Sequence, residues 1–315
     1  MSQPAAYLSA KVVALIQARA KITVKYWGLP FSRELDQGSL VRRQFGKQAE
    51  KYRRSASQGN ATVLNHIVEL VAPGYREIVL DVGCGGGHMA VAMAAWVQSV
   101  VVVDVTSEML SQTILLAVEK GLSNLAACLC EARHLPFRDV VFDVVTCRTV
   151  LHHVPEAGRA VCEMGRVMKK LGRLFIQDIL GSDDQEARDY MDVVERLRDP
   201  SHFQDYNAAE WHGFIAEAGL GIMHMELVPG IYRLRDWTTR SGTPPERIEE
   251  VTRMLENIPQ RTSSHLKASY SDGDWSIEMR HVLILATREH RKRSTEPIVG
   301  MLQDVSECES EDAES

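Results

Sequence analysis

Between residues 76 and 180 short β-branched runs alternate with stretches whose apolar positions recur every three to four residues. The short runs are Glu77–Val82, Val100–Asp104, Ala126–Cys130, Phe142–Cys147 and Arg173–Asp178, and they read as strands. The segments Met89–Val97, Glu108–Glu119 and Ala157–Met168 read as helices between them. Strand and helix in regular alternation predict right-handed crossovers and a parallel sheet. Upstream, Val41, Phe45, Ala49 and Tyr52, then Val63, Ile67, Leu70 and Val71, predict helix over 41–75, closed by Pro73-Gly74. Downstream the rhythm breaks. Gln185–Leu197, Ala208–Ala218 and Pro245–Asn257 read as helices, and Gly221–Leu227 and His281–Thr287 as late strands. Inserted helices followed by two strands predict a sheet finished by a hairpin-like pair, with the insertion over its edge.

This pattern divides the chain into an N-terminal extension (1–40), an α/β domain (41–290, with 76–180 and 181–290 as its halves) and a tail (291–315). The extension has Lys11, Arg19, Lys21 and Lys25 and no acid before Glu34, which suits a transit segment or, as the preferred reading, an amphipathic helix packed on the body. Asp304, Glu307, Glu309, Glu311, Asp312 and Glu314 make the tail acidic and predict a disordered end. The net charge of −6 resides largely there, so the body lacks the basic bias of a nucleic-acid binder. No run approaches the roughly 18 apolar residues of a membrane span. Six cysteines scattered in apolar settings, and no secretory signal, predict reduced thiols and an intracellular, cytoplasmic protein. Cys128 and Cys130 have no second pair to complete a zinc site.

The chemistry concentrates in Ile78-Val79-Leu80-Asp81-Val82-Gly83-Cys84-Gly85-Gly86-Gly87-His88. A buried strand running into close glycines lets a ligand approach the backbone at the carboxyl end of the first strand. The dinucleotide fingerprint needs Gly or Ala where His88 stands, which argues against a nicotinamide enzyme. Asp81, just ahead of the glycines, suits a cationic group better than a pyrophosphate. Asp104, at the end of the second strand, can accept both hydroxyls of a ribose.

The run Asp81 to Gly87 resembles motif I of the class I S-adenosylmethionine (SAM)-dependent methyltransferases. Val103 to Leu110, Glu131 to Phe137, Phe142 to Val145, Leu151 to Val154 and Arg166 to Gly172 resemble the later motifs in the same order. The pattern is similar to the branch holding the menaquinone and ubiquinone C-methyltransferases and many small-molecule enzymes. Glu131 stands where that family usually has Asp, and Lys170-Leu171 replaces its Pro-Gly.

The resemblance implies a Rossmann-like α/β fold: a mostly parallel seven-stranded sheet with helices on both faces and an inserted helical cap. It implies that Gly83 and Gly85 cradle the methionine moiety of SAM and that Asp81 favours its amino group. Asp104 would hold the ribose and Met109 lie against the adenine, with Val105 beside it. Glu131 would accept from the exocyclic amine, Ala132 donate from its backbone, and Arg148 line the pocket by its backbone. The implied reaction moves the methyl group of SAM to a small organic acceptor, releases S-adenosylhomocysteine and uses no metal. The alternative is a SAM-binding protein of the same fold with a non-methylating or regulatory role. For proton removal His153 and His202 are the candidates, with His152 behind them, because an imidazole titrates near neutral pH. Phe45, Tyr52 and the helices after Gly181 are the expected acceptor walls, and Tyr206 and Trp211 are expected to pack. The acceptor and the oligomeric state stay open.

Overall fold

The computed structural model describes Val24–Tyr26 and residues 37–288; the acidic tail, and the rest of the N-terminal extension, lie outside the described residues. Its strands are β1 (Val24–Tyr26), β2 (Ile78–Val82), β3 (Ser99–Asp104), β4 (Leu125–Leu129), β5 (Phe142–Arg148), β6 (Met168–Ile179), β7 (Gly221–Arg233), β8 (Ser269–Ser271) and β9 (Asp274–Thr287). They form one sheet in the order β1-β4-β3-β2-β5-β6-β9-β7, with β8 pairing β9. The pairs from β1 to β6 are parallel, and β9 runs antiparallel to both β6 and β7. The expected seven-stranded core is therefore present, flanked by two three-residue strands, β1 and β8, that are too short to show a period.

β2, β3 and β5 are buried on both faces, which is why they read as unbroken apolar runs. The strand order reverses between β2 and β5 as the chain crosses from one face to the other. Ligands of open α/β sheets bind at such a point, beyond the carboxyl ends of the strands.

The segment expected as one helix is two, α1 (Gln37–Arg53) and α2 (Ala61–Val71). The break comes at Gly59-Asn60, where the Asn60 side-chain Oδ1 accepts from the backbone N–H groups of Thr62 and Val63 and so starts a new helix. The helices α3 (His88–Ala94), α4 (Ser107–Glu119), α5 (Ala157–Val167), α6 (Gln185–Arg198), α7 (Ala208–Glu217) and α9 (Pro245–Glu256) lie within a few residues of their predicted bounds. Asn207 and Glu210 cap α7 reciprocally. Two short helices, α8 (Leu234–Ser241) and α10 (Gln260–Leu266), were not legible, each being about two turns long.

Helices α2, α3 and α4 cover one face of the sheet over Val79, Val100, Val144 and Phe175. On the other face α5 and α7 pack Val161, Met164, Trp211 and Ile215 over Leu80, Val145 and Leu174. A third apolar cluster joins α6, α8 and α9 to the far ends of β7 and β9 through Met191, Val194, Trp237, Val251, Ile277 and Met279. This is the inserted cap. β7 and β9 run well past their predicted starts and ends, as a ribbon that carries it. No helix among the described residues is long and apolar enough to cross a membrane. The five described cysteines are free, and all but Cys162 are buried.

Candidate active site

A cleft enclosing about 1080 Å³, part of it open to solvent, lies at the carboxyl ends of β2 to β5. Asp81, Gly83, Gly85, Asp104, Val105, Met109, Glu131, Ala132, Arg148 and His153 all line it. These residues come from four loops separated by as much as 72 positions, so their meeting is a property of the fold. His202 is not among them.

The floor is the turn after β2. Gly83, Gly85 and Gly87 have φ of +70°, +52° and +89°, the left-handed region that glycine enters without strain. A Cβ on Gly83 would lie 2.4 Å from the Val150 side chain, whereas one on Gly85 would meet nothing within 4 Å and would project into free space. A Cβ on Gly86 would stand 2.7 Å from the backbone of Tyr52 and Arg53, so α1 closes directly over the turn. His88, the residue that departs from the dinucleotide fingerprint, bonds the Tyr52 carbonyl at 3.1 Å. It holds the same helix down.

Asp81 is 2% exposed. Its Oδ1 accepts from the Thr146 hydroxyl at 2.7 Å, and its Oδ2 has no partner. Burial raises its pKa, the Thr146 hydrogen bond opposes, and the balance leaves it at about 6. Asp104 Oδ2 accepts from Gly85 N at 3.0 Å and Oδ1 from Thr106 N at 2.9 Å, which fixes the carboxylate and leaves each oxygen a free lone pair. Burial outweighs those bonds and places its pKa at about 6 as well. An orphaned buried carboxylate oxygen beside an open glycine cradle fits an ammonium, and the fixed Asp104 fits a vicinal diol. The residues thus suit the aminoacyl and ribose ends of SAM. Glu131 is engaged by Arg133 and Arg133 by Glu156, at the rim where the adenine would lie.

The chain turns at the end of β5 through Thr149, a non-glycine residue with φ of +55°. The Arg148 side chain is partly buried and donates to the Gln58 carbonyl at 2.6 Å and to its Oε1 at 2.7 Å. Burial brings its pKa down to about 10, which leaves it charged at neutral pH.

The two adjacent histidines part company. His152 faces the interior, where its Nδ1 lies 2.5 Å from Asp178 Oδ1. Burial works against its charged form, but the charge and hydrogen bond of Asp178 prevail and raise its pKa. His153 faces the cleft. Its Nδ1 donates to the Ser201 carbonyl at 2.9 Å, since a carbonyl can only accept, and Nε2 is left as the unprotonated nitrogen. Burial, then the neighbouring His152, lower its pKa to about 3. It does not titrate near neutrality as the sequence suggested. His202 is buried behind the wall, its ring 5.9 Å from that of His152, and bonds Asp192 at 3.0 Å.

Opposite the glycine turn the wall is α1: Gln37, Gly38, Val41, Phe45 and Tyr52. Phe45 packs edge-on against both Tyr52 and His153, with ring centroids 5.2 and 4.9 Å apart. No described residue after Gly181 lines the cleft, contrary to expectation, because α1 lies between it and the cap. The cap instead holds that helix from behind. Gln44 donates to the Ser241 carbonyl at 2.7 Å, Lys51 to that of Thr239 at 3.2 Å, and Gln37 to that of Ser201. Tyr206 and Trp211 pack as expected, with the Tyr206 hydroxyl on the Val154 carbonyl. Gln58, Val150 and Pro155 also line the cleft and carry no sequence signal.

Residues 80–176 match the methyltransferase domain family. An uncharacterized methyltransferase of Bacillus subtilis, YcgJ, is 32% identical over 207 residues, which span 66% of this chain and 82% of that protein. The crystal structure of YcgJ superimposes with a TM-score of 0.66 at 29% identity, covering 72% of this chain and 98% of that one. The ubiquinone biosynthesis O-methyltransferase of Aliivibrio fischeri is 32% identical over 122 residues, 39% of this chain and about half (52%) of its own length. An N-methyltransferase of Haemonchus contortus solved with S-adenosylhomocysteine shares the fold at 16% identity and a TM-score of 0.54, over 82% of this chain and 61% of that one.

Proposed function

The chain belongs to the methyltransferase domain family and is a class I, SAM-dependent methyltransferase, and from that premise we propose that it methylates a small organic acceptor held between α1 and His153. The observation that carries this reading is the composition of the acceptor wall: Val41, Phe45, Tyr52 and Pro155 line the cleft together with the neutral imidazole of His153, against which Phe45 packs. Such a wall favours a compact, largely apolar molecule with one hydrogen-bonding group.

SAM supplies a methyl group already activated on a sulfonium, so the protein's task is to bring the acceptor in line and keep water out. In this reading Asp81 and the Gly83–Gly85 turn bind the aminoacyl end, Asp104 the ribose, and Met109, Ala132 and Glu131 the adenine. Arg148 keeps the turn after β5 closed through Gln58. His153 presents its Nε2 lone pair as an acceptor that orients a hydroxyl or acidic C–H group. With a pKa of about 3 it is a weak base, and proximity does most of the work. His202 supports the wall from behind and does not meet substrate.

The experiment is to incubate the full chain with SAM and a panel of small hydroxylated and prenylated aromatic acceptors and to quantify S-adenosylhomocysteine. Acceptor-dependent release, lost in Asp104→Ala, is the expected outcome. Release with a protein or RNA acceptor and none across the panel would overturn the acceptor class, and binding of SAM without turnover on any acceptor would favour the non-methylating alternative.

A further inference from the structure

Behind the cleft, α6 and the loop leading to α7 enclose a second group of ionisable side chains. Asp192, His202 and Asp205 each present one ligand atom, and the three atoms lie within 4.8 Å of one another. His202 is 2% exposed and Asp205 4%. His202 bonds Asp192 Oδ1 at 3.0 Å, while its Nδ1 and the Oδ1 of Asp205 have no partner. A separate observation points the same way. Glu195, one turn along α6 and 0% exposed, also has an unpartnered oxygen, Oε1.

Positive charge is short here. Glu195 is matched by Arg198 and Asp178 by His152. Arg196 reaches Asp192 only at 4.0 Å and from the exposed side. Among the described residues no Lys, Arg or His stands within 4.0 Å of an Asp205 oxygen. Two carboxylates and a third nearby, with open valences and little compensating charge, are costly to bury.

We propose that Asp192, His202 and Asp205 form a divalent transition-metal site, structural rather than catalytic, that fastens the α6–α7 loop to α6. One imidazole with two carboxylates suits zinc or manganese over magnesium, whose preference is for oxygen alone. A route for the ion exists, since Asp205 is also in the wall of a separate cleft of about 910 Å³, partly open to solvent, between Leu180–Asp184 and Met279–Arg280. The site is distinct from the methyl-transfer cleft but mechanically joined to it: the same loop presents the Ser201 carbonyl that holds both His153 and Gln37. Bound metal would therefore stiffen the wall behind His153 without touching substrate.

The test uses the full chain, stripped by a chelator, in a His66→Ala/His224→Ala background that removes the exposed pair beside Glu226. Zinc and manganese are titrated by calorimetry, and unfolding is followed by scanning fluorimetry, with magnesium and calcium as contrasts. One equivalent of zinc or manganese, a Kd in the micromolar range or tighter and a raised Tm are expected. Asp205→Asn, nearly isosteric, should raise the Kd tenfold or more and abolish the Tm increase while leaving SAM affinity intact, and His202→Gln should do the same. Two results would overturn the site: no uptake by the parent protein, or uptake that both variants retain. A metal-free Asp205→Asn protein that is more stable than a parent that takes up no metal would show that a shared proton, not an ion, resolves the charge.

Discussion

Asp178 Oδ1 lies 2.5 Å from His152 Nδ1 with both side chains buried, at the point where β6 passes the turn after β5. The same carboxylate accepts from the backbone N–H groups of Val150, Leu151 and Ile179 at 3.2, 2.7 and 2.9 Å. One side chain therefore fixes the whole turn that carries His153 into the cleft.

Removing it should be expensive. Asp178→Ala leaves a buried imidazolium and three orphaned donors, and breaking a buried pair costs about 3–5 kcal/mol. Urea unfolding should register a loss of that size. A change under 1 kcal/mol would mean that the pair is not buried as described.

His153 should stay neutral across the physiological range. Its pKa of about 3 and its Nδ1 bond to Ser201 fix one tautomer, with the proton on Nδ1. Imidazole nitrogen shifts of His153, followed by NMR from pH 5 to 8, should be constant and of the Nδ1–H type. A midpoint near 6.5 would contradict the geometry.

SAM affinity should fall in mild acid. Asp81 and Asp104 are raised to about 6 in the folded protein, from an ordinary value near 4. Between those limits the native state holds more protons than the unfolded chain. The ligand-free protein should therefore lose stability as pH rises from about 4 to about 6. In the proposed binding mode SAM needs the carboxylates ionised, so its binding should weaken in the opposite sense, by about tenfold per group between pH 7 and pH 5. Calorimetric titration at the two pH values checks the first-order effect, and an affinity independent of pH would remove Asp81 from the aminoacyl site.

Gly86→Ala should disturb the roof rather than the floor. Its Cβ would stand 2.7 Å from the backbone of Tyr52 and Arg53, which cannot rotate away as a side chain could. Overpacking of this kind costs about 1–3 kcal/mol. We expect a Tm lowered accordingly and SAM bound at least several-fold more weakly, since α1 must lift. Unchanged binding would show that α1 does not cover the turn in solution.

The local signals were sufficient for the strands and helices of residues 76–180. β2, β3 and β5 are buried on both faces, so their burial is written into the chain as unbroken apolar runs. Asp81, the glycines and Asp104 sit at strand ends that a parallel sheet must align, which is why ten of the proposed site residues meet in one cleft. The break between α1 and α2 was less visible, because a capping Asn60 competes with an apolar period that continues across it. What the sequence alone could not decide was which histidine faces the cleft, what covers the glycine turn and where the cap lies. His152 and His153 are neighbours of one type, and only Asp178 and the Ser201 carbonyl, brought from distant strands and loops, send one inward and leave the other at the wall. The cap was expected to touch the acceptor, yet α1 intervenes, held by carbonyls that any residue could supply. Backbone acceptors and long-range charge leave no mark on residue type, and that is why these features belong to the tertiary structure.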